Sequence, residues 1–387
     1  MAAPTPERWD IFCRVVDNLG DVGFSWRLAR QVAREHGKRV RLWLDDLTVL
    51  AKLRPEIDPA YDIQKLEQVE VERIREPFHV EGVADVVVET FGCDPPEPYV
   101  HAMASAKSKP RWINLEYLSA EEWVERSHAL PSPNPRLPLV KHYFFPGFTA
   151  KTGGLLREAS LLRRRDEFQA DAGAQAAFWR SLVGKSPPAG ALKVSLFSYA
   201  GAPVESLARA CAHVAGPVWL VAPEGFAATA LETWRAREPA RGSVECFVTP
   251  FLAQDRYDEL LWACDVNFVR GEDSFVRAQW AARPFAWHIY PQDEGAHHVK
   301  LAAFLARYAE DLDRAQAAAV TALWEAWNRR DDEAAEASAP QPLTEAWAAF
   351  AARRDALQRH ARRWADRLAR QRNLAETLVD FADNVLK

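Results

Sequence analysis

Residues 13–30 read CRVVDNLGDVGFSWRLAR and continue the apolar run DIFC at 10–13. A strand-like run that ends in a Gly-containing loop and passes into a helical pattern is the opening of a βα unit. In a parallel sheet such loops lie at the carboxyl edge, where α/β proteins hold their ligands. Two carboxylates, Asp17 and Asp21, and two glycines, Gly20 and Gly23, share this loop. Asp and Gly are ordinary turn residues, and Asp before a helix is a common N-cap. Two acids in one helix entrance exceed what a cap needs, and they would repel a phosphate placed there. The spacing also lacks the GxGxxG dinucleotide pattern. The loop is therefore suited to a cation or a hydroxyl, not to a nucleotide.

Outward from this loop, strand-like and helical runs alternate from Trp9 to about Phe148: DIFCRVV, FSWRLARQVAREHG, RVRLWL, ADVVVETF, RWINLEYL and HYFFPGF. That alternation predicts parallel βαβ units. At 184–191 the chain reads GKSPPAGA, a Pro/Gly/Ser stretch of the kind that links domains. A second series follows, LKVSLFSY, PVWLVAP, VECFVTPF, DVNFVRG and PFAWHIY, each trailed by a helix-compatible segment. Two nucleotide-fold-like domains are the simplest account, with residues 1–183 in the first and 184–357 in the second. From about Leu301 no strand-like run appears, and a long terminal helix over about 358–387 is expected to return across the first domain. Its arginines read as a solvated face.

Composition bounds the rest. The chain has 387 residues, 48% hydrophobic and 27% charged, enough to bury more than one core. The start MAAPTPERWD has no basic stretch followed by an apolar one, and no segment is long enough to span a bilayer, so a cytoplasmic location without a membrane partner is expected. A net charge of -5 argues against a nucleic-acid partner. Cys13, Cys93, Cys211, Cys246 and Cys264 are scattered and suit reduced thiols. No CxxC or HExxH occurs, Asp45-Asp46 resembles a DxD motif only loosely, and no metal is expected. Trp26 and Trp262 fall in helical patterns that predict core packing.

The other informative stretch is CDVNFVRGEDSFVRAQWAARPFAWHIYPQ at 264–292. It reads strand, Arg270-Gly271-Glu272-Asp273-Ser274, helix, strand. Asp273 or Ser274 suits the N-cap, and a plain capped helix accounts for these five residues. A diphosphate cradle accounts for them equally, from first-turn amides, a hydroxyl and the Arg270 guanidinium. Aromatics stand at strand ends of the same half: Phe197, Tyr199, Phe251, Tyr257 and Tyr290. Converging on one sheet edge, they would enclose a base and a sugar. His297 and His298 are adjacent on a helix, so a single polar contact suits them better than a metal pair.

Three stretches, IFCRVVDNLGDVGFSWRLARQ, RWINLEYLSAEEWVE with FFPGFTAKTGGLLRE, and FVRGEDSFVRAQWA, together resemble the EarP family, the protein-arginine rhamnosyltransferases that modify bacterial elongation factor P. The resemblance runs in order over nearly the whole chain. It implies a GT-B fold, two Rossmann-like domains with an inter-domain cleft, and an inverting transfer of L-rhamnose from dTDP-β-L-rhamnose to an arginine of elongation factor P. It places Asp17 and Asp21 on the acceptor side, with Asp21 as general base. It places Phe197, Tyr199, Gln254, Arg270, Glu272, Asp273, Ser274 and Tyr290 on the donor, with Phe251, Tyr257 or both stacking on the base. No cofactor is implied beyond the donor. The competing readings are a nucleotide-sugar enzyme of this architecture acting on a small molecule, and a non-catalytic adaptor that binds a protein.

Overall fold

A computed structural model describes residues 6–16, 19–238, 242–292, 295–329 and 343–385. The chain forms two compact units, residues 1–159 with 368–387, and residues 160–367.

In the first unit, strand β1 (Arg8–Cys13) leads into helix α1 (Leu19–His36), then β2 (Arg39–Leu44) and α2 (Leu47–Leu53). Strands β3 (Ile63–Leu66), β4 (Val69–Arg73) and β5 (Val86–Thr90) follow, then α3 (Glu97–Ser105), β6 (Arg111–Leu115), α4 (Trp123–Ser127), β7 (Pro131–Pro133) and β8 (Val140–Phe144). The sheet order is β3-β4-β2-β1-β5-β6-β8-β7, parallel except for the antiparallel edge strands β3 and β7. The central strands are apolar runs because both faces are covered. Every residue of β5 is buried, whereas the edge strand β3 alternates between exposed and half-buried. Under β1, Asp10 is fully buried and meets Arg41 through two bonds of 2.8 and 2.5 Å, with the Tyr99 hydroxyl donating to it at 2.5 Å. A buried charge needs such partners.

The second unit starts earlier than the sequence predicts. Helices α5 (Leu161–Ala170) and α6 (Ala172–Val183) belong to it, so the boundary lies at 159/160 and not at 183/184. The reason is packing: Phe178 and Trp179 of α6 join Trp219, Val221 and Leu260 in one core cluster. The Pro/Gly stretch is the connection from α6 into β9 (Leu192–Leu196), with Gly184 as the left-handed C-cap of α6 at φ 79°. The chain continues through α7 (Val204–Cys211), β10 (Val218–Pro223), α8 (Phe226–Arg237), β11 (Val244–Thr249) and α9 (Gln254–Ala263). Then come β12 (Val266–Arg270), α10 (Glu272–Trp280), β13 (Phe285–His288), α11 (Ala296–Tyr308), α12 (Arg314–Asn328) and α13 (Leu343–Ala351). This sheet is wholly parallel, in the order β11-β10-β9-β12-β13.

The tail is two helices, not one. Helix α14 (Arg354–Ala369) ends before Arg370, and Asn373 caps α15 (Leu374–Asp380) by accepting the Glu376 N–H at 3.0 Å. The unit boundary falls in the last turn of α14, so residues 358–367 belong to the second unit rather than the first. Residues beyond it join the first unit, where Leu374 N–H donates to Leu155 O at 3.0 Å and the Thr377 hydroxyl to Gly153 O at 2.5 Å. Gly154, at φ 75°, sits where a Cβ would strike the Arg372 carbonyl. Trp26 and Trp262 are buried, and all five cysteines are free thiols. No helix among the described residues is long and apolar enough to cross a membrane.

Candidate active site

In the first sheet β1 pairs with β2 on one side and β5 on the other, so the winding direction reverses between β1 and β5. Ligands of open α/β sheets lie beyond the carboxyl ends at such a reversal. Asp21 stands there, in the first turn of α1 and only 1% exposed. Its Oδ2 accepts the Val16 N–H at 3.0 Å, and its Oδ1 accepts the Tyr117 hydroxyl at 3.5 Å. Asp45, just past β2, accepts the Val15 N–H at 3.0 Å, so two carboxylates fix the backbone leaving β1. Phe91, just past β5, has φ 60°, a left-handed conformation that costs a non-glycine residue about 1–2 kcal/mol. Its ring stacks on Tyr117, with centroids 4.3 Å apart. Near the end of β6, Asn114 accepts the Gly92 N–H at 3.2 Å and donates to Glu116 at 2.8 Å. The Cys13 thiol beneath is pushed up to about 12 by burial, with the Asp21 and Asp45 carboxylates adding to it, so it stays protonated.

The second sheet reverses between β9 and β12. The residues that leave these two strands meet there. The Arg270 guanidinium lies 4.4 Å from the Phe197 ring centroid and 4.7 Å from that of Tyr199. Among the described residues no carboxylate reaches it within 4.0 Å. Tyr257 of α9 approaches Phe197 at 5.7 Å between centroids, and its buried hydroxyl has no hydrogen-bond partner among the described residues. Burial pushes that phenol well above its ordinary range. Tyr199 meets Tyr290 edge to face at 5.2 Å, and its N–H donates to His288 Nδ1 at 3.1 Å. His288 is therefore a neutral acceptor, and its pKa is held down at about 4 by burial and then by Arg270.

The loop after β12 differs from its reading as a capped helix. Gly271, at φ 63°, takes the N-cap position, and no side chain caps α10. Ser274 instead turns back, accepting the Arg270 N–H at 3.1 Å and donating to the Arg270 carbonyl. Asp273 accepts from Gln254 Nε2 at 3.3 Å, and Glu272 from Lys300 Nζ at 3.1 Å.

Phe197, Tyr199, Tyr257, Arg270 and Tyr290 are thus brought together, with Gln254, Asp273 and Ser274 beside them. Phe251 follows the edge strand β11 and makes no ring contact among the described residues. Asp17 lies outside the described residues. Asp46 caps α2 through the Thr48 N–H at 2.8 Å, so the Asp45-Asp46 pair is divided between two backbone tasks. His297 accepts the Gln292 N–H at 3.1 Å, and its ring lies 4.0 Å from that of His298 because both occupy the first turn of α11. No group of three His, Cys, Asp or Glu side chains among the described residues is placed to hold a metal ion. Sequence reasoning missed Phe91, Tyr117 and His288. Their signal was position alone, each lying at or just past the carboxyl end of a parallel strand.

The comparisons with known proteins agree with this geometry. A family model described as Elongation-Factor P (EF-P) rhamnosyltransferase EarP matches residues 9–383. The protein-arginine rhamnosyltransferase of Pseudomonas putida is 47% identical over 385 residues, covering 98% of this chain and 99% of that protein. A solved structure presented as the "Structural basis for EarP-mediated arginine glycosylation of translation elongation factor EF-P" is 36% identical with a TM-score of 0.67, covering 98% and 99% of the two chains. Acinetobacter baumannii MurG, 14% identical with a TM-score of 0.54 over 98% of this chain and 99% of that one, shares the fold. The architecture is accordingly GT-B, built from two Rossmann-like domains, and the chain belongs to the EarP family of elongation factor P rhamnosyltransferases.

Proposed function

We propose that this protein transfers L-rhamnose from dTDP-β-L-rhamnose to an arginine side chain of elongation factor P, inverting the anomeric carbon. The observation that carries the reading is the buried Asp21 carboxylate, fixed at the β1/β5 reversal by the Val16 N–H and the Tyr117 hydroxyl. An arginine guanidinium is cationic at any physiological pH, and its nitrogen lone pairs are delocalised, so it is a poor nucleophile. A fixed carboxylate answers both difficulties. It pairs with the planar cation and orients one nitrogen. As that nitrogen bonds to the anomeric carbon, Asp21 takes the proton it sheds. The bond from the anomeric carbon to the diphosphate oxygen breaks in the same step, and dTDP leaves with its electron pair. Asp17 is the second acceptor-side carboxylate of this reading.

The donor belongs to the second unit. Phe197 and Tyr257 suit a thymine face, Tyr199 and Tyr290 the adjoining sugar, and Arg270 with the α10 N-terminus the diphosphate. Charge on the departing dTDP then falls on a guanidinium that no carboxylate of the described residues neutralises, which favours the transition state over the ground state. We place the reaction in the cytoplasm, where elongation factors work and free thiols stay reduced. The test is incubation with dTDP-β-L-rhamnose and purified elongation factor P, followed by intact-mass measurement and mapping of the modified residue. A gain of one deoxyhexosyl unit on an arginine is expected. No gain, or faster turnover of a small-molecule acceptor, would overturn the reading.

A further inference from the structure

A second cationic cavity opens at the other end of the second sheet. Its volume is about 340 Å³, and Lys193, Asp265, Arg283, Arg354, Asp355 and Gln358 line it. Lys193 lies at the start of β9, Asp265 just before β12, and Arg283 just before β13. These strands are parallel, so the cavity sits at their amino edge, about five residues or 16 Å of strand away from Phe197 and Arg270.

Arg283 is the unusual member. The buried arginines among the described residues each meet a carboxylate: Arg27 and Arg30 meet Glu158 at 3.3 and 3.1 Å, Arg41 Asp10 at 2.5 Å, Arg165 Asp166 at 2.9 Å and Arg277 Asp258 at 2.6 Å. Arg283 is half-buried, yet no carboxylate of the described residues comes within 4.0 Å of it. Among the described residues it has two long bonds, from Nε to Trp262 O at 3.4 Å and from Nη1 to Gln358 Oε1 at 3.3 Å. Gln358 is itself held by donating to Ala282 O at 2.7 Å. Burial pulls the Arg283 pKa below its ordinary value, more than Asp265 restores it. A desolvated guanidinium without a counter-charge is costly, and the two carboxylates of the cavity are directed elsewhere. Asp265 pairs with Lys193 at 2.9 Å, and Asp355 lies 3.8 Å from Arg354 Nε. Three cations against two carboxylates leave the lining with one net positive charge. Arg270, which likewise meets no carboxylate among the described residues, stands where the donor diphosphate is expected.

We propose that this cavity is a second anion site, which takes the phosphate group of a small phosphorylated molecule or free orthophosphate, with Arg283 and Arg354 as its cationic ligands. Its volume exceeds what a lone phosphate fills and lies in the lower range of small-molecule pockets. Bound there, the phosphate forms charge-assisted bonds with both guanidinium groups. It also ties the loop before β9 to the first turns of α14.

The experiment is calorimetric titration of the full chain with orthophosphate in one arm and ribose 5-phosphate in the other, with melting temperature recorded in parallel. Saturable binding at millimolar concentration or below is expected in at least one arm, and the tighter arm identifies the source of the phosphate. Arg283→Gln and Arg354→Gln should each weaken it by about tenfold or more, while Arg270→Ala leaves it intact. Arg354 is partly exposed and, among the described residues, pairs with Asp355 at 3.8 Å, so Arg354→Gln decides the matter should Arg283→Gln fail to fold. Absence of saturable binding in both arms overturns the proposal. So does binding that survives Arg354→Gln but is lost in Arg270→Ala, since the anion would then occupy the donor site.

Discussion

Replacing Asp21 by Asn tests the catalytic reading most directly. The amide keeps the shape of the carboxylate and one oxygen acceptor. Turned so that this oxygen faces Val16, the variant side chain still accepts the N–H that Asp21 accepts at 3.0 Å, and its NH₂ group can donate to the Tyr117 oxygen. The fold therefore loses little more than the difference between a charged and a neutral acceptor, about 1 kcal/mol. Catalysis loses what an amide cannot supply, the negative charge that pairs with the guanidinium and, above all, the capacity to take a proton. A positioned base contributes roughly 10²–10⁴ in rate, or about 2.7–5.4 kcal/mol of barrier. The expected outcome is a large fall in turnover with near-normal dTDP affinity and a small change in melting temperature.

Three measurements on one preparation separate this from a purely structural role: rhamnosylation rate by intact mass, dTDP affinity by calorimetry, and melting temperature. If Asp21 only closes the turn after β1, stability drops and the rate per folded molecule stays. Asp17→Asn should also lose activity, with more of the loss in acceptor binding, read as a raised KM for elongation factor P. A well-folded Asp21→Asn enzyme working at near-normal rate would refute the reasoning.

Arg270→Ala should weaken dTDP binding by about 1.5–3 kcal/mol, because it removes a charge-assisted bond to the diphosphate; unchanged calorimetric affinity would take Arg270 out of the site. His288 sets a pH dependence: its pKa falls from 6.5 to about 4 on folding, so the unfolded chain binds more protons between these values. Stability is then full above about pH 6.5 and falls as the pH drops toward 4, by up to about 3 kcal/mol, and protonation at Nδ1 also removes the acceptor for Tyr199 N–H. Urea unfolding of the native chain and of His288→Gln at several pH values checks this, and equal pH slopes in the two proteins would contradict it. The intact acceptor domain of elongation factor P should be turned over far faster than free arginine, with the strand end at 111–118 and the loop at 131–146 as contact candidates; equal rates at matched concentrations would remove that expectation.

The alternation of strands and helices is visible in the sequence because buried parallel strands read as continuous apolar runs. Asp21 is visible for a related reason, since an acid at the end of such a run has no core role to explain it. The boundary near residue 183 was not legible: α5 and α6 look like any crossover helix, and only the packing of Trp179 against Trp219, at 5.7 Å between centroids, assigns them to the second unit. A Pro/Gly stretch marks a turn, but it does not say whether a domain ends there. Ser274 misled as a cap because its residue type favours one, whereas Gly271 already supplies the left-handed conformation that opens α10. Phe91 and Tyr117 were invisible as site residues because a lone aromatic at a strand end is usually core. Their stack becomes informative once β5 and β6 are known to be neighbours.

The charges at the two carboxyl edges differ in sign, and the second edge shows how that sign is kept. Arg270 is followed at once by Glu272 and Asp273, and pairing with either would cancel the charge a diphosphate needs. The fold sends each acid elsewhere, Glu272 to Lys300 and Asp273 to Gln254. Ser274 meanwhile holds the Arg270 backbone. The guanidinium rests on Phe197 and Tyr199, whose π faces favour a cation without neutralising it, by about 0.5–2 kcal/mol each. At the first edge the logic is mirrored. Asp21 accepts from a backbone N–H and a hydroxyl, two neutral donors that fix the carboxylate in place. A transferase that joins a cationic acceptor to an anionic donor needs this separation, because a charge cancelled within the protein is not there to offer to the substrate.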